Sequence, residues 1–265
     1  MGDECIHGFD DGLCAICFPP PEPVKAEPVA RVRTTRAPGA SSTPRSRPAS
    51  RTPGAPARPP VRVNDQRLYH VTHIDNLAGI LEAGGVLADV SAANAATPAI
   101  DVSSSLQREV RRQTIADGRA IAEFVPFHLT PDGSTWAAIR TNEGDSRLTD
   151  AAVELSATDF VVLVAAIAGI GDDYVVTDRD AADPDARVST SEDEARRLLV
   201  RLIGDDESDA ILEAELLIHE AVPLDSFTVI GVANDKVRDV VRDALRGSGH
   251  SLRVVVYPPW FRPVE

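Results

Sequence analysis

Every cysteine of the chain lies within its first seventeen residues, where Cys5-x-His7-x6-Cys14-x2-Cys17 places three thiols and an imidazole close together. Ligands of this softness suit tetrahedral zinc, because a Cys-x-x-Cys turn lets two sulfurs face one ion. A segment this short buries no core of its own, so its folding is expected to depend on the metal. A redox pair at Cys14 and Cys17 is the rival reading, and it lacks the strand-helix context such motifs need. Downstream of Cys17 there is no thiol, which removes a cysteine nucleophile from the larger part of the chain. No Gly-x-Gly-x-x-Gly follows a strand and no Walker-type loop is present, so Rossmann and P-loop nucleotide sites lack support. The polar groups that remain sit at strand ends and on a helix: Tyr69-His70-Val71-Thr72-His73, Arg108, and Glu215 within Ala214-Glu215-Leu216-Leu217-Ile218-His219. On residue type alone Glu215 reads equally as one acid among its neighbours Glu213 and Glu220. Arg108, with Arg111 and Arg112, reads equally as a solvated helix face. His70 and His73 have the spacing of a metal pair but no evident third ligand.

Those groups need elements to hold them. Residues 68–71 have the composition of a strand, and residues 75–83 carry Leu77, Ile80 and Leu81 on one helical face, stopped by Gly84-Gly85. Further helices are expected over 101–115, 191–203 and 234–246. Strands are expected over 123–129, 136–140, 160–168, 174–177, 214–219, 227–232 and 252–256. Strands and helices do not alternate regularly, so the class is α+β and not a doubly wound parallel sheet.

Composition divides the chain into three: residues 1–18 as the zinc knuckle, 19–63 as a linker, and 64–265 as the main domain. Between Phe18 and Val63 one Lys and eight Arg face only Glu22 and Glu27, and Pro, Ala, Ser and Thr dominate the rest. Such a segment cannot offset its ordering entropy and is expected to be disordered, either a solubilising spacer or a salt-dependent hold on nucleic acid. The net charge of −14 is therefore concentrated in the main domain, which should repel a nucleic-acid strand except along a local groove. Arg108, Arg111, Arg112 and Arg119 are candidates to line one. The longest apolar run, residues 160–170, falls short of the roughly 20 residues a membrane helix needs. The first residues also lack a secretory pattern, so the cytoplasm is the expected location.

Four ordered segments carry a family resemblance. Tyr69-His70-Val71-Thr72-His73-Ile74-Asp75-Asn76-Leu77, followed by Ile80-Leu81-Glu82, resembles the opening of the DarT family of DNA ADP-ribosyltransferases. Arg108 ahead of Phe124-Val125-Pro126-Phe127 resembles the family's helix arginine and its Val-Pro-Phe strand. Val175-Val176-Thr177-Asp178 with Ala181 resembles a middle segment, and Ala214-Glu215-Leu216-Leu217-Ile218-His219 with Val222-Pro223 resembles the strand bearing the catalytic glutamate. Together these span about residues 67–258. Where better-known members carry Tyr-Phe and a Pro-Arg-Ser-x-Met run after the Val-Pro-Phe strand, this chain has His128-Leu129-Thr130-Pro131-Asp132-Gly133-Ser134-Thr135.

The resemblance implies an ADP-ribosyltransferase-like split mixed β-sheet core with helices, and NAD held in a cleft between two sheets. It implies transfer of ADP-ribose to thymine or guanine in single-stranded DNA, as the toxin of a pair whose antitoxin is a DarG-like macrodomain protein. Glu215 and Arg108 become the working pair. A carboxylate can stabilise the positive charge that builds on the sugar as nicotinamide leaves, and can take the proton of the attacking base. Arg108 is too basic to act as a base, but its fork of donors can orient phosphates or the incoming base. His70, Thr72 and Asn76 are the implied contacts to the ribose-nicotinamide part of NAD. Modification of RNA or protein, or a non-catalytic zinc-containing adaptor for nucleic acid, are the alternatives.

Overall fold

The computed structural model describes residues 61–91, 98–205 and 209–263. The zinc ligands Cys5, His7, Cys14 and Cys17 and the linker through residue 60 lie outside these residues. The chain between the described ends forms β1 (Arg67–His73), α1 (Leu77–Ala83), β2 (Gly85–Leu87), α2 (Ser105–Gln113), β3 (Ile115–Ala116), β4 (Arg119–Ala120) and β5 (Phe124–His128). There follow α3 (Ser134–Thr141), α4 (Asp150–Glu154), β6 (Phe160–Ala166), β7 (Tyr174–Val176), α5 (Glu192–Gly204) and α6 (Ala210–Glu213). The last elements are β8 (Glu215–His219), β9 (Ala221–Pro223), β10 (Phe227–Val232), α7 (Asp235–Ser248) and β11 (Val254–Val256).

Seven strands form one sheet in the order β11-β10-β6-β1-β5-β8-β7. All neighbours are antiparallel except β10 and β11, which α7 joins as a crossover. The sheet is mixed, as expected. It is also split. Each of the seven residues of β1 has a register partner in β6, whereas β1 meets β5 at one position, Tyr69 opposite His128. Past Tyr69 the two strands part and open a wedge in the middle of the sheet.

β6 shows why the core is legible as an apolar run. Phe160, Val162 and Val164 join Tyr69, Trp136 and Ile139 on one face, while Val161, Leu163 and Ala165 join Leu68, Phe127 and Leu216 on the other. Buried on both faces, the strand needs no polar alternation. The helices on the second face carry conventional signals. Asn234 accepts from the Val237 amide at 3.0 Å, Val237, Val241 and Leu245 are buried at helical spacing, and Gly249 ends the helix in the left-handed region. Ser191 caps α5 in the same way, with Glu192, Asp193 and Glu194 in its first turn.

Residues 136–140, expected as a strand, are instead the body of α3. Trp136, Ile139 and Arg140 are buried at helical spacing and Asn142 closes the helix with φ of 56°. The short run Trp136–Ile139 is apolar at every position and satisfies both periodicities, and packing over Phe160 and Phe261 decided between them. α4, α6 and the short ladders β2–β9 and β3–β4 were not expected. The remaining strands and helices match their expected positions to within a few residues at each end.

Candidate active site

The wedge between β1 and β5 is the floor of a cavity of about 780 Å³. Cross-strand partners share a face, so Tyr69, His128 and Glu215, aligned across β1, β5 and β8, leave one side of the sheet. His70 and Thr72 alternate to the other side. All five nonetheless line the same cavity, because the parted strands let it reach both faces.

His70 spans the wedge. Its Nδ1 lies 3.0 Å from the Pro126 carbonyl, which can only accept, so Nδ1 carries the proton. Burial holds the imidazole below its ordinary pKa, and the neutral ring keeps Nε2 as an acceptor. The same contact explains Pro126 within a central strand. In an antiparallel strand one residue's N and C=O face the same neighbour, so the missing N–H points into the wedge and not at β8. Thr72 accepts from Asn76 Nδ2 at 3.1 Å. The Asn76 amide also donates to the Ile100 carbonyl and accepts from the Ile100 amide, both at 2.9 Å, so it braces the segment at residue 100 against the start of α1.

Glu215 opens β8 directly after α6 and is 8% exposed. Arg111 Nη1 lies 3.2 Å from each of its oxygens, and the Ala181 amide donates to Oε2 at 3.0 Å. Its backbone is stapled to the same connection: Thr177 N donates to the Glu215 carbonyl and Thr177 Oγ1 accepts from the Glu215 amide. Burial pushes the Glu215 carboxyl above the usual carboxylate range, Arg111 pulls it back, and nearby Asp180 adds to the rise. Arg111 Nη2 is buried and has no partner among the described residues, so donor capacity remains at the wall of the cavity.

Arg108 and Glu215 both line the cavity, but they are not paired. Arg108 donates to Asp101 at 2.6 Å and to Asp89 at 2.8 Å, which occupies both ends of its fork. The arginine on Glu215 is Arg111, one turn further along α2. That helix buries none of its residues fully and leaves Leu106 66% exposed, so ion pairs and not apolar packing hold it in place. The sequence offered Arg108, Arg111 and Arg112 within five residues, and only the rotation of α2 over the sheet distinguishes them. The four arginines considered for a basic groove are each matched with carboxylates: Arg108 as above, Arg111 with Glu215, Arg112 with Asp89, and Arg119 with Asp117 and Asp173.

Arg147 and Asp180, which no motif in the sequence singles out, also line the cavity. Arg147 donates to Asp145, Ser134 and Glu213 and lies 3.7 Å from Asp180. Asp180 accepts from Gln107 at 2.8 Å and from the Ala182 amide at 2.7 Å. The segment resembling a family motif, Val175–Asp178 with Ala181, brackets Asp180 without including it. His128, opposite Glu215, lies 3.1 Å from Thr135 through Nε2, and burial lowers its pKa to about 4. A Cβ on Gly133 would stand 2.4 Å from its Nδ1, so only glycine lets the chain cross over this ring on its way into α3. Among the described residues no cluster of His, Cys, Asp and Glu could hold a metal, and none of their helices is long and apolar enough to cross a membrane.

A split mixed sheet with a cleft at the split, walled by a buried carboxylate–arginine pair, is the geometry of a site for a nucleotide-sized substrate. Residues 69–262 match the family model for DarT, described as ssDNA thymidine ADP-ribosyltransferase, and the chain belongs to this family. The DNA ADP-ribosyl transferase of Mycobacterium tuberculosis (strain H37Rv) is 38% identical over 74 residues, which cover 26% of this chain and 30% of the relative. The same values hold for the protein of that name from Mycobacterium bovis. The chain thus aligns with less than a third of the length of these curated relatives. Among solved structures, Thermus sp. 2.9 DarT in complex with ADP-ribosylated ssDNA aligns with TM-score 0.60 and 23% identity, covering 74% of this chain and 96% of that one. The same protein in complex with NAD+ aligns with TM-score 0.57, 23% identity and coverage of 74% and 98%. Thermosipho africanus DarTG in complex with ADP-ribose gives 0.56 at 19% identity, covering 74% of this chain and 51% of that one. At these identities the structural likeness establishes the fold.

Proposed function

We propose that the chain transfers ADP-ribose from NAD to a base in single-stranded DNA, as the toxin of a toxin–antitoxin pair restrained by a macrodomain protein. The observation that carries this reading is Glu215, buried at the cavity wall and gripped by Arg111 and the Ala181 amide. Membership of the DarT family supplies the reaction class, and the complexes with NAD+ and with ADP-ribosylated ssDNA formed by Thermus DarT support the choice of substrates.

In this reading the nicotinamide–ribose bond of NAD breaks at the wedge, and the sugar carbon gains positive charge. Glu215, fixed by its two donors, faces that charge from a buried position, where a preorganised carboxylate acts more strongly than in water. The neutral His70 ring offers Nε2 to a ribose hydroxyl, and Thr72 offers its hydroxyl from the same strand. Asn76 serves by bracing Thr72 and the residue 100 segment. Arg108 shapes the far wall through Asp89 and Asp101. The residues fit NAD on two grounds: the cavity volume lies within the range of ligand sites, and Arg111 keeps an unused buried donor.

The decisive experiment incubates the full chain with labelled NAD and separate pools of single-stranded DNA, duplex DNA, RNA and protein. Label should enter single-stranded DNA, and Glu215→Gln, which keeps the side chain's volume and an oxygen acceptor for Arg111, should abolish transfer in a chain that still melts cooperatively. Label entering RNA or protein alone would replace the acceptor; no NAD turnover at all would favour the non-catalytic adaptor. Zinc at Cys5, His7, Cys14 and Cys17 and a cytoplasmic location complete the reading, and metal analysis of the purified chain tests the former.

A further inference from the structure

A second cavity, of about 640 Å³, adjoins the first on the side away from β1. Its apolar lining comes from Leu106, Val110, Ala182, Pro184 and Ala210, a surface on which the flat face of a base can lie. Three residues line both cavities: Gln107, Arg147 and Asp180. They form the partition between them, since Gln107 Nε2 donates to Asp180 at 2.8 Å and Arg147 stands 3.7 Å from the same carboxylate. Glu215 lines only the larger cavity and Glu213 only the smaller.

Transfer to a base nitrogen needs a group that takes a proton on the acceptor side. Of the three partition residues Gln107 does not titrate and Arg147 cannot give up its proton, so Asp180 alone can do so. Its short hydrogen bonds are two, from Gln107 and from the Ala182 amide. A carboxylate accepts about four, so positions remain for an incoming N–H. Its relation to Glu215 is set by one guanidinium: Arg111 Nη1 lies 3.2 Å from Glu215 and 3.7 Å from Asp180. Glu215, in contrast, is turned away from the smaller cavity and engaged by Arg111 through both oxygens.

We propose that Asp180 is a second catalytic carboxylate, which accepts the proton of the acceptor base at the partition while Glu215 stabilises the ribosyl charge in the larger cavity. This rests on the transferase reading above. The step balances without a further reactant. The bond from the ribose carbon to nicotinamide breaks with its electron pair passing to the nicotinamide nitrogen, which becomes neutral. The acceptor nitrogen forms the new bond to that carbon, and its proton moves to Asp180 and then to water through the more open cavity. Hydrolysis of NAD by water uses the same Glu215 but does not need a base placed toward the DNA.

The test compares full-length parent, Asp180→Asn and Asp180→Glu for ADP-ribosyl transfer to single-stranded DNA and for nicotinamide release without DNA. Loss of a positioned general base costs about 100-fold or more. Asp180→Asn should therefore lower transfer by about that factor and nicotinamide release by less than about tenfold, shifting their ratio at least tenfold. Asp180→Glu should recover part of the transfer. If both activities fall together, Asp180 only positions Arg111 and the proposal fails; if neither falls, it also fails. A parent that releases no nicotinamide with or without DNA overturns the transferase reading itself, an outcome distinct from parallel losses in the variant.

Discussion

Replacing Arg111 with methionine isolates the contact on which the site depends. The change keeps much of the side chain's volume and removes the guanidinium that meets both Glu215 oxygens at 3.2 Å. Glu215 is only 8% exposed, so its carboxylate would be left buried and unpaired, a loss of about 3–5 kcal/mol. For a domain of about 200 residues that is roughly 6–20 °C in melting temperature. The sign with pH follows from the direction of the shift. Burial already raises the Glu215 pKa and Arg111 is the largest opposing influence, so the variant's carboxyl rises further. A raised carboxyl pKa makes the folded state bind more protons than the unfolded one. Stability is then greatest below the ordinary carboxylate range and is lost as pH rises through the folded value. Thermal melts at about pH 5 and about pH 8 should therefore show the larger deficit at the higher pH. Adding Glu215→Gln removes the orphaned charge and should restore most of the stability but none of the activity. Activity should fall by about 100-fold or more in Arg111→Met, because the carboxylate loses the guanidinium that fixes both its oxygens. Arg108→Met leaves Asp89 and Asp101 partly exposed and should cost about 1 kcal/mol. Two results would refute this reasoning: a pH-independent deficit in Arg111→Met, or NAD turnover that survives there and is lost in Arg108→Met.

Two further outcomes test the scaffold. His128 is held neutral with its pKa lowered to about 4, so stability is fully present above the unfolded histidine value near 6.5 and is lost as pH falls toward about 4. His128→Gln should flatten that acid limb, worth about 3 kcal/mol, and an unchanged limb in pH-dependent denaturation would show that the ring titrates normally. Asn76→Ala removes bonds to Thr72 and to both backbone groups of Ile100, and should cost about 2–3 kcal/mol and raise KM for NAD more than it lowers kcat. A raised KM with unchanged melting would instead make Asn76 a direct ligand.

The sequence alone determined the parts whose physics is local. Apolar runs such as residues 160–166 are strands because they are buried on both faces, and Asn234 and Ser191 mark helix starts because their side chains accept orphan amides. The ordered motifs around His70, Pro126 and Glu215 placed the chain in its family for the same reason: short strings survive as strings. What the tertiary structure decided is whatever depends on orientation. The rotation of α2 put Arg111 on Glu215 and sent Arg108 to Asp89 and Asp101, a choice that three nearby arginines do not reveal. Packing over Phe160 made residues 136–140 a helix. The parting of β1 from β5 brought residues from opposite sheet faces into one cavity, and the connection after β7 carried Asp180 to the partition between two cavities. Each of these is a long-range packing outcome, set by which surfaces meet once the strands have paired, and no periodicity within a single segment encodes it.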